Sequence, residues 1–333
     1  MFVLDSYAWA VVFCVVTMLC WGSWANTQKL AGRAWRFELF YWDYALGVLL
    51  LSVIMAFTLG SLGEAGRSFL DDIAQAESGN IVSAFVGGVV FNIANILLVA
   101  AIAIAGMSVA FPVGIGLALV IGVVVNYIAT PVGNPVILFL GVGLVTAAII
   151  LDAAAYRRLP NQGQGVTTKG LVLSIICGIL MGFFYRFVAD SMSTDFINLE
   201  DGKLGPYSAV FFFSLGLLVS NFIINPIIMK KPFVGEPVAM AEYFKGGLTL
   251  HAIGILGGVI WAIGMTFSII ASGQAGFAIS YGLGQGATMV AALWGVFIWK
   301  EFEAAPKSTG RLLTLMFLGY LAGLALIIAA RFQ

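Results

Sequence analysis

The segment Gly273–Glu301, GQAGFAISYGLGQGATMVAALWGVFIWKE, is an apolar stretch that is interrupted by glycines, carries neutral polar residues and ends in a charged pair. It has a counterpart earlier in the chain, since Gly114 aligns with Gly284 when the sequence is shifted by 170 positions (284 − 114 = 170). At this shift, 11 of the 42 positions in residues 87–128 are identical. The shared glycines keep their spacing across two consecutive apolar segments, which indicates an internal repeat.

The composition is that of a membrane protein. Of 333 residues, 61% are hydrophobic and 10% are charged, and the mean hydropathy is +1.03. A soluble domain does not tolerate this balance, because its surface must be hydrated. The net charge of zero gives no indication of a nucleic-acid partner. The cysteines Cys14, Cys20 and Cys177 all lie in apolar segments, so neither a disulfide nor a metal site is expected.

Hydropathy predicts an all-α membrane protein with ten transmembrane helices. A helix needs about 20 apolar residues to cross about 30 Å of hydrocarbon, and irregular backbone is not tolerated against lipid. The predicted spans are Ala8–Thr27, Leu39–Leu59, Ile81–Ala103, Ser108–Ile128, Val136–Tyr156, Gly170–Ala189, Tyr207–Met229, Leu248–Ala271, Phe277–Ile298 and Arg311–Ala330.

The distribution of basic residues predicts the orientation. Counted with Arg311 at the start of the tenth span, the connections after the odd-numbered spans carry 12 Lys and Arg residues, whereas the termini and the other connections carry only Arg67, Lys203 and Arg331. By the positive-inside rule, the basic connections are cytoplasmic and both termini lie outside.

The repeat and the span count together predict the domain organisation. Residues 1–156 form a first five-helix repeat, residues 157–169 a cytoplasmic linker that contains LPNQGQGVTT, and residues 170–333 a second five-helix repeat. Because five is odd, the second copy enters the membrane from the opposite face. Such an inverted-topology repeat is typical of secondary transporters, whose substrate site lies near the midplane between the halves.

Polar residues at mid-depth are the candidate substrate-binding residues: Asn92, Asn95, Trp261, Gln285 and Thr288. A carboxamide in hydrocarbon costs several kcal/mol unless it finds a partner, so these side chains are expected to face protein or a water-filled cavity. For any one of them, a hydrogen bond to a neighbouring helix is the alternative.

Other features leave two interpretations open. Trp21, about two helical turns from Lys29, either contacts the ligand or anchors the chain at the interface. The matched glycines of the two repeats either allow close helix packing or loosen a turn that exposes backbone groups to a ligand.

Four charged residues are candidates for coupling or gating. Asp43 is the first candidate for proton coupling, with Asp152 and Asp190 behind it. Arg186 precedes Asp190 by four residues, so the two either form an ion pair at an extracellular gate or extend separately to the interface. No carboxylate lies at mid-depth, which argues against a proton-coupled exporter of cationic drugs.

An enzyme is not expected. The chain has a single histidine, His251, and lacks the HExxH, GxSxG and phosphate-loop motifs. No cofactor is predicted.

Several stretches carry a family resemblance: WGSW at residues 21–24, YWDYALGVLLLSVIMAFTLGSLGE at 41–64, GQAGFA at 273–278 and WGVFIWKEF at 294–302. They resemble the drug/metabolite transporter superfamily and, within it, the ureide permease group and its bacterial relatives among the glucose, rhamnose and ribose uptake permeases. The resemblance implies import of a small neutral polar solute, by proton symport in several relatives, and residence in a bacterial inner membrane.

We therefore expect a solute importer that works by alternating access in a lipid bilayer, with its oligomeric state open. A sugar, pentose or hexose, is favoured narrowly over a ureide or nucleobase such as allantoin or uracil. A non-transporting membrane binding or scaffold protein is the alternative from another class, and an exporter of hydrophobic compounds is a further one.

Overall fold

The computed structural model describes residues 1–32, 35–159 and 167–332 of the chain. Arg33 and most of the predicted linker, residues 160–166, lie outside this range. Within the described residues the protein is all-helical, and the one isolated β-bridge joins Met192 to Leu204.

Ten helices are long and apolar enough to cross a membrane, as the sequence predicts. We number them α1 to α10: Tyr7–Ala31, Phe37–Phe57, Ser78–Ala105, Phe111–Ala129, Pro135–Tyr156, Thr168–Ser191, Pro206–Lys230, Leu248–Ala275, Phe277–Ile298 and Thr309–Ala329. The fold-class prediction is confirmed, and the bounds differ from the predicted ones by a few residues.

The connections after even-numbered helices share one end of the bundle with both termini. The Phe2 amide donates to the Leu59 carbonyl (2.7 Å), and the Asn134 amide donates to the Ala330 carbonyl (2.8 Å). At the opposite end, Lys29 pairs with Glu301 (2.6 Å). This alternation is the one that the ten-span topology requires, and which end faces the cytoplasm stays a prediction.

The packing of the helices repeats when each helix is exchanged for the one five places later. The pair α3–α6 corresponds to α8–α1, α2–α8 to α7–α3, and α4–α6 to α9–α1, while α5–α10, α2–α7 and α4–α9 each map onto themselves. This pattern is consistent with two related halves of five helices. The predicted inverted repeat and its boundaries stay a prediction.

Two pairs of repeated glycines have clear structural roles. Gly106 and Gly276, which are 170 positions apart, both have positive φ (75° and 83°) and end α3 and α8 in tight turns. At Gly88 a Cβ would lie 1.9 Å from the Phe213 carbonyl oxygen, and at Gly258 it would lie 2.0 Å from that of Tyr44. Because these glycines have no side chain, the backbone of α3 lies close to that of α7, and the backbone of α8 lies close to that of α2.

Replacing Gly88 by alanine should destabilise the bundle, because the methyl group would push α3 away from α7. We expect a cost of about 1–3 kcal/mol, typical of an overpacked interior. The measurement is the thermal midpoint of the detergent-purified protein. Gly79→Ala, in the first turn of the same helix, is the matched control, since a Cβ there meets no atom within 4 Å. Equal midpoints for the two variants would contradict the assigned role of Gly88.

Candidate functional site

A cavity of about 590 Å³ lies between the two halves of the bundle. Side chains from α1, α3, α4 and α5 meet side chains from α6, α8 and α9 around it. Trp261 and Gln285, which are buried, line its inner part, whereas Lys29 and Glu301 line its mouth. The cavity therefore opens toward the end of the bundle that the sequence predicts to be cytoplasmic.

The helix α9 is broken at the cavity. Regular helix ends at Gly284 and resumes at Ala287, and the Thr288 amide donates to the Gln285 carbonyl three residues back (3.2 Å). A Cβ at Gly284 would lie 2.8 Å from the Trp21 ring, and one at Gly286 would lie 2.2 Å from the Met18 sulfur. The glycines thus bring α1 against α9, and the break places the Gln285 side chain between them.

The corresponding position in the first half is also irregular. Phe111–Ile115, the start of α4, forms a wide π-type turn in which the Gly116 amide donates to the Phe111 carbonyl. Shifted by 170 positions, this turn ends at Gln285 (115 + 170 = 285). Wide helical turns of this kind are frequent at functional sites. Close packing and an interrupted helix thus occur together at Gly284 and Gly286, and a role of the matched glycines in binding a ligand stays a prediction.

Five of the six predicted substrate-binding residues line this cavity: Trp21, Asn95, Trp261, Gln285 and Thr288. The Asn95 amide nitrogen donates to the Tyr41 hydroxyl (3.3 Å), and the Thr288 hydroxyl donates to the Gln285 carbonyl (2.9 Å). Among the described residues, neither Asn95 Oδ1 nor the Gln285 carboxamide has a side-chain hydrogen-bond partner. These atoms are polar groups that the inner part of the cavity offers to a solute.

The structure places the sixth residue, Asn92, outside the cavity. Asn92 is fully buried on α3, and its amide nitrogen donates to the Ser220 hydroxyl of α7 (2.9 Å). Asn92 and Asn95 share a depth but point to different neighbours. In the structure, Asn92 therefore fits the alternative interpretation, a hydrogen bond to a neighbouring helix.

Indole rings form much of the cavity wall. The rings of Trp21 and Trp261 are stacked with centroids 5.9 Å apart, and the Trp21 Nε1 donates to the Trp261 carbonyl (3.2 Å). The Nε1 atoms of Trp294 and Trp299 donate to Ser23 (2.8 Å) and Asn26 (2.6 Å). Because protein atoms already accept from these three nitrogens, Trp21, Trp294 and Trp299 present ring faces rather than donors to a solute.

Among the described residues that line the cavity, the charged ones are Lys29 and Glu301 at the mouth. Lys29 Nζ pairs with Glu301 (2.6 Å) and lies 4.8 Å from the Trp299 ring centroid, and the Tyr156 hydroxyl donates to Glu301 (2.9 Å). The pair ties the end of α1 to the end of α9. The sequence-based site candidates are polar residues near the middle of the predicted spans. The mouth residues lie at the ends of the spans and were therefore not predicted to belong to the site.

The four predicted coupling or gating residues lie apart from the cavity. Arg186 and Asp190 form an ion pair on α6, which is one of the two alternatives that the sequence leaves open. Asp152 is buried on α5, and its Oδ1 has no hydrogen-bond partner in the described part of the chain. Asp43 is buried on α2 beside His251 (3.0 Å). The roles of all four stay predictions.

Sequence reasoning missed His251 and Tyr243, which both contact Asp43. Tyr243 lies in the connection between α7 and α8, and both its burial and the adjacent carboxylate raise its pKa. A signal for His251 existed: it is the one ionisable side chain of Asp, Glu, His, Lys or Arg type in residues 246–299.

Comparisons with known proteins identify relatives over the whole chain. The sequence model of the family described as "Ureide permease" matches residues 40–164 and 156–330. Ureide permease 1 of Arabidopsis thaliana is 23% identical over 386 aligned positions, which cover 99% of each protein. A probable glucose uptake protein of Staphylococcus aureus is 30% identical over 107 positions, which cover 32% of each.

The fold is also similar to that of solved structures, one of which is described as "Crystal structure of protein". That structure superposes with a TM-score of 0.57 at 14% identity and covers 97% of both chains. At this identity the similarity concerns the fold alone.

Proposed function

The chain belongs to the ureide permease family, and from this premise we propose that it carries a small, neutral, planar and amide-rich solute across the membrane by alternating access. The cavity supports the proposal, because it is polar at its inner part without being charged there. A solute that enters from the mouth would reach Gln285 and Asn95 after it passes the Lys29–Glu301 pair.

The observation that carries the proposal is the pairing of unsatisfied carboxamide atoms with indole faces. The Gln285 carboxamide offers both a donor and an acceptor, which is the complement of a urea or lactam edge. The rings of Trp21 and Trp261 offer flat apolar surfaces on which a planar heterocycle stacks. Ureides and nucleobases combine these two properties in one small molecule.

The sequence alone favours a sugar narrowly, and the comparisons support the ureide alternative better. Ureide permeases 1 and 2 of Arabidopsis thaliana each match over 99% of the chain. A pentose or hexose stays the second candidate, because the probable glucose uptake protein matches about a third of the chain. Its hydroxyl groups would bind the same carboxamides.

Uptake assays test the proposal. Cells that express the chain should accumulate labelled allantoin or uracil above the level of empty-vector cells at equal membrane abundance, and glucose and ribose should accumulate less. Accumulation of sugars alone would replace the ureide proposal by the sugar one. Accumulation of none of the four would favour a non-transporting binding protein.

Proton symport is part of the proposal. In reconstituted vesicles, an inward proton gradient should raise the initial rate of allantoin uptake. Uptake that is indifferent to the imposed gradient would leave facilitated diffusion or another coupling ion.

A further inference from the structure

A cluster of polar side chains joins α2 to the start of α8 outside the cavity. The Nδ1 atom of His251 lies 3.0 Å from both carboxylate oxygens of Asp43, and the Tyr243 hydroxyl donates to Asp43 Oδ1 (2.6 Å). The Asp43 side chain is 2% exposed, whereas that of His251 is 22% exposed. The imidazole thus stands between solvent and a buried carboxylate.

Packing fixes the orientation of the imidazole. Trp35 and Tyr243 both pack against the ring in edge-on arrangements, with centroids 5.1 and 4.7 Å away. A Cβ at Gly246 would lie 2.8 Å from His251 Nε2. Nδ1 thus faces the carboxylate, and Nε2 lies on the other side of the ring.

Of the other charged groups on the adjoining segments, Lys230, Lys231 and Glu236 are exposed, and four more form ion pairs. Arg36 pairs with Glu38 (2.7 Å) at the start of α2, and Lys245 pairs with Glu242 (2.6 Å) before α8. Tyr243, whose pKa is raised by burial and by the Asp43 carboxylate, keeps its proton near neutral pH. Histidine is the side chain whose charge ordinarily changes between about pH 5 and about pH 8.

The cluster is connected to the cavity through α2. Tyr41 and Tyr44 flank Asp43 in the sequence. Tyr41 accepts a hydrogen bond from Asn95 of the cavity (3.3 Å), and the Tyr44 ring packs against Trp24 (4.8 Å) and Trp261 (6.4 Å between centroids). A change in how α2 packs on α8 would therefore move side chains that support the site.

The pair occurs in one half of the chain only. Shifted by 170 positions, His251 corresponds to Ile81 and Asp43 to Phe213. The opposite end of the bundle thus has apolar residues at the equivalent positions, and the polar cluster is a one-sided feature of a fold whose packing is otherwise repeated.

We propose that His251 and Asp43 form a proton-binding site at the predicted cytoplasmic end, and that the bound proton stabilises the arrangement in which the cavity opens to that end. A proton from water binds Nε2, and the neutral imidazole beside a carboxylate becomes an ion pair between α8 and α2. The stronger attraction holds the two helices together. Its consequence for solute movement rests on the proposed transport function.

The first experiment needs neither a solute nor a variant. Because His251 is the only histidine of the chain, ¹⁵N-histidine labelling gives the spectrum of a single imidazole. In lipid nanodiscs studied from about pH 5 to about pH 8, we expect the two imidazole resonances to report the binding of a proton at Nε2. An imidazole whose charge stays constant over this range would overturn the proposal.

The second experiment follows the cavity itself. Acrylamide, a neutral quencher, reports how accessible the cavity tryptophans are. We expect stronger quenching at about pH 5.5 than at about pH 8, with the balance of open and closed arrangements shifted by about tenfold. The difference should vanish in His251→Gln and persist in Glu303→Gln, which removes an exposed acid at the same end.

Quenching that is equally pH-dependent in His251→Gln would overturn the proposal, because another group would then be responsible. The two experiments are independent of uptake. If quenching depends on pH but neither allantoin nor uracil accumulates, the proposed solute is rejected and the proton site is kept. If allantoin or uracil accumulates but quenching does not depend on pH, the proton site is rejected and the proposed solute is kept.

Discussion

Replacing Gln285 by alanine is expected to lower the initial rate of allantoin uptake by about 10- to 100-fold at unchanged membrane abundance. The expectation corresponds to the loss of one or two hydrogen bonds to a solute in a site largely shielded from water, each worth about 1–2 kcal/mol. The Gln285 side chain stabilises no other element through a hydrogen bond within the described residues, so its removal should leave the fold intact.

Asn92→Ala is the matched control for Gln285→Ala. It also removes a buried carboxamide at mid-depth, but that carboxamide donates to Ser220 and lies outside the cavity. We expect Asn92→Ala to lower the thermal midpoint, by an amount that corresponds to about 1 kcal/mol, and to leave the solute affinity unchanged. Loss of affinity in Asn92→Ala together with normal affinity in Gln285→Ala would contradict the assignment of the site.

The contrast between Asn92 and Asn95 shows what the sequence can and cannot predict. Hydropathy gives the position of a residue along the membrane normal, because the length of a span is set by the thickness of the bilayer. It therefore predicted the ten helices, and it placed both asparagines at the same depth. The direction in which each side chain points depends on which helices surround α3, and that is a property of the tertiary packing.

The internal repeat predicted more about the candidate site than hydropathy did. The shift of 170 positions drew attention to the glycines around Gln285, and the structure breaks α9 at this residue. By contrast, Lys29 contacts Glu301 and Asp43 contacts His251 across most of the chain. Neither contact has a local sequence signature. The Lys29–Glu301 and Asp43–His251 pairings could therefore not be predicted from patterns within single segments, although His251 itself stands out as the one ionisable side chain of Asp, Glu, His, Lys or Arg type in residues 246–299.

Replacing Trp261 by alanine should have the largest effect on stability. The ring is 4% exposed, and it packs against Phe91 (4.3 Å between centroids), Phe213 (5.7 Å) and Trp21 (5.9 Å). Its removal would leave a void where α1, α3, α7 and α8 meet. Large-to-small changes of an aromatic residue in a packed interior cost about 3–5 kcal/mol, so we expect little folded protein in detergent.

Trp9→Ala is the matched control, because Trp9 lies on α1 with 55% of its surface exposed and packs on little of the bundle. Its stability should change by about 0.5 kcal/mol or less, as is usual for surface substitutions. Thermal midpoints of the two variants in the same detergent make the comparison. Similar midpoints would mean that the aromatic cluster around Trp261 is not a stabilising core.

Trp261→Phe separates packing from solute binding. A phenyl ring keeps contacts with Phe91 and Phe213, so the variant should fold, but it offers a smaller face to a planar solute. We expect allantoin affinity to fall by about tenfold, since stacking between aromatic rings contributes about 0.5–1.5 kcal/mol. If Trp261→Phe folds and binds allantoin as the wild type does, Trp261 supports the cavity without contacting the solute, and the stacking surface must come from Trp21 and the tryptophans nearer the mouth.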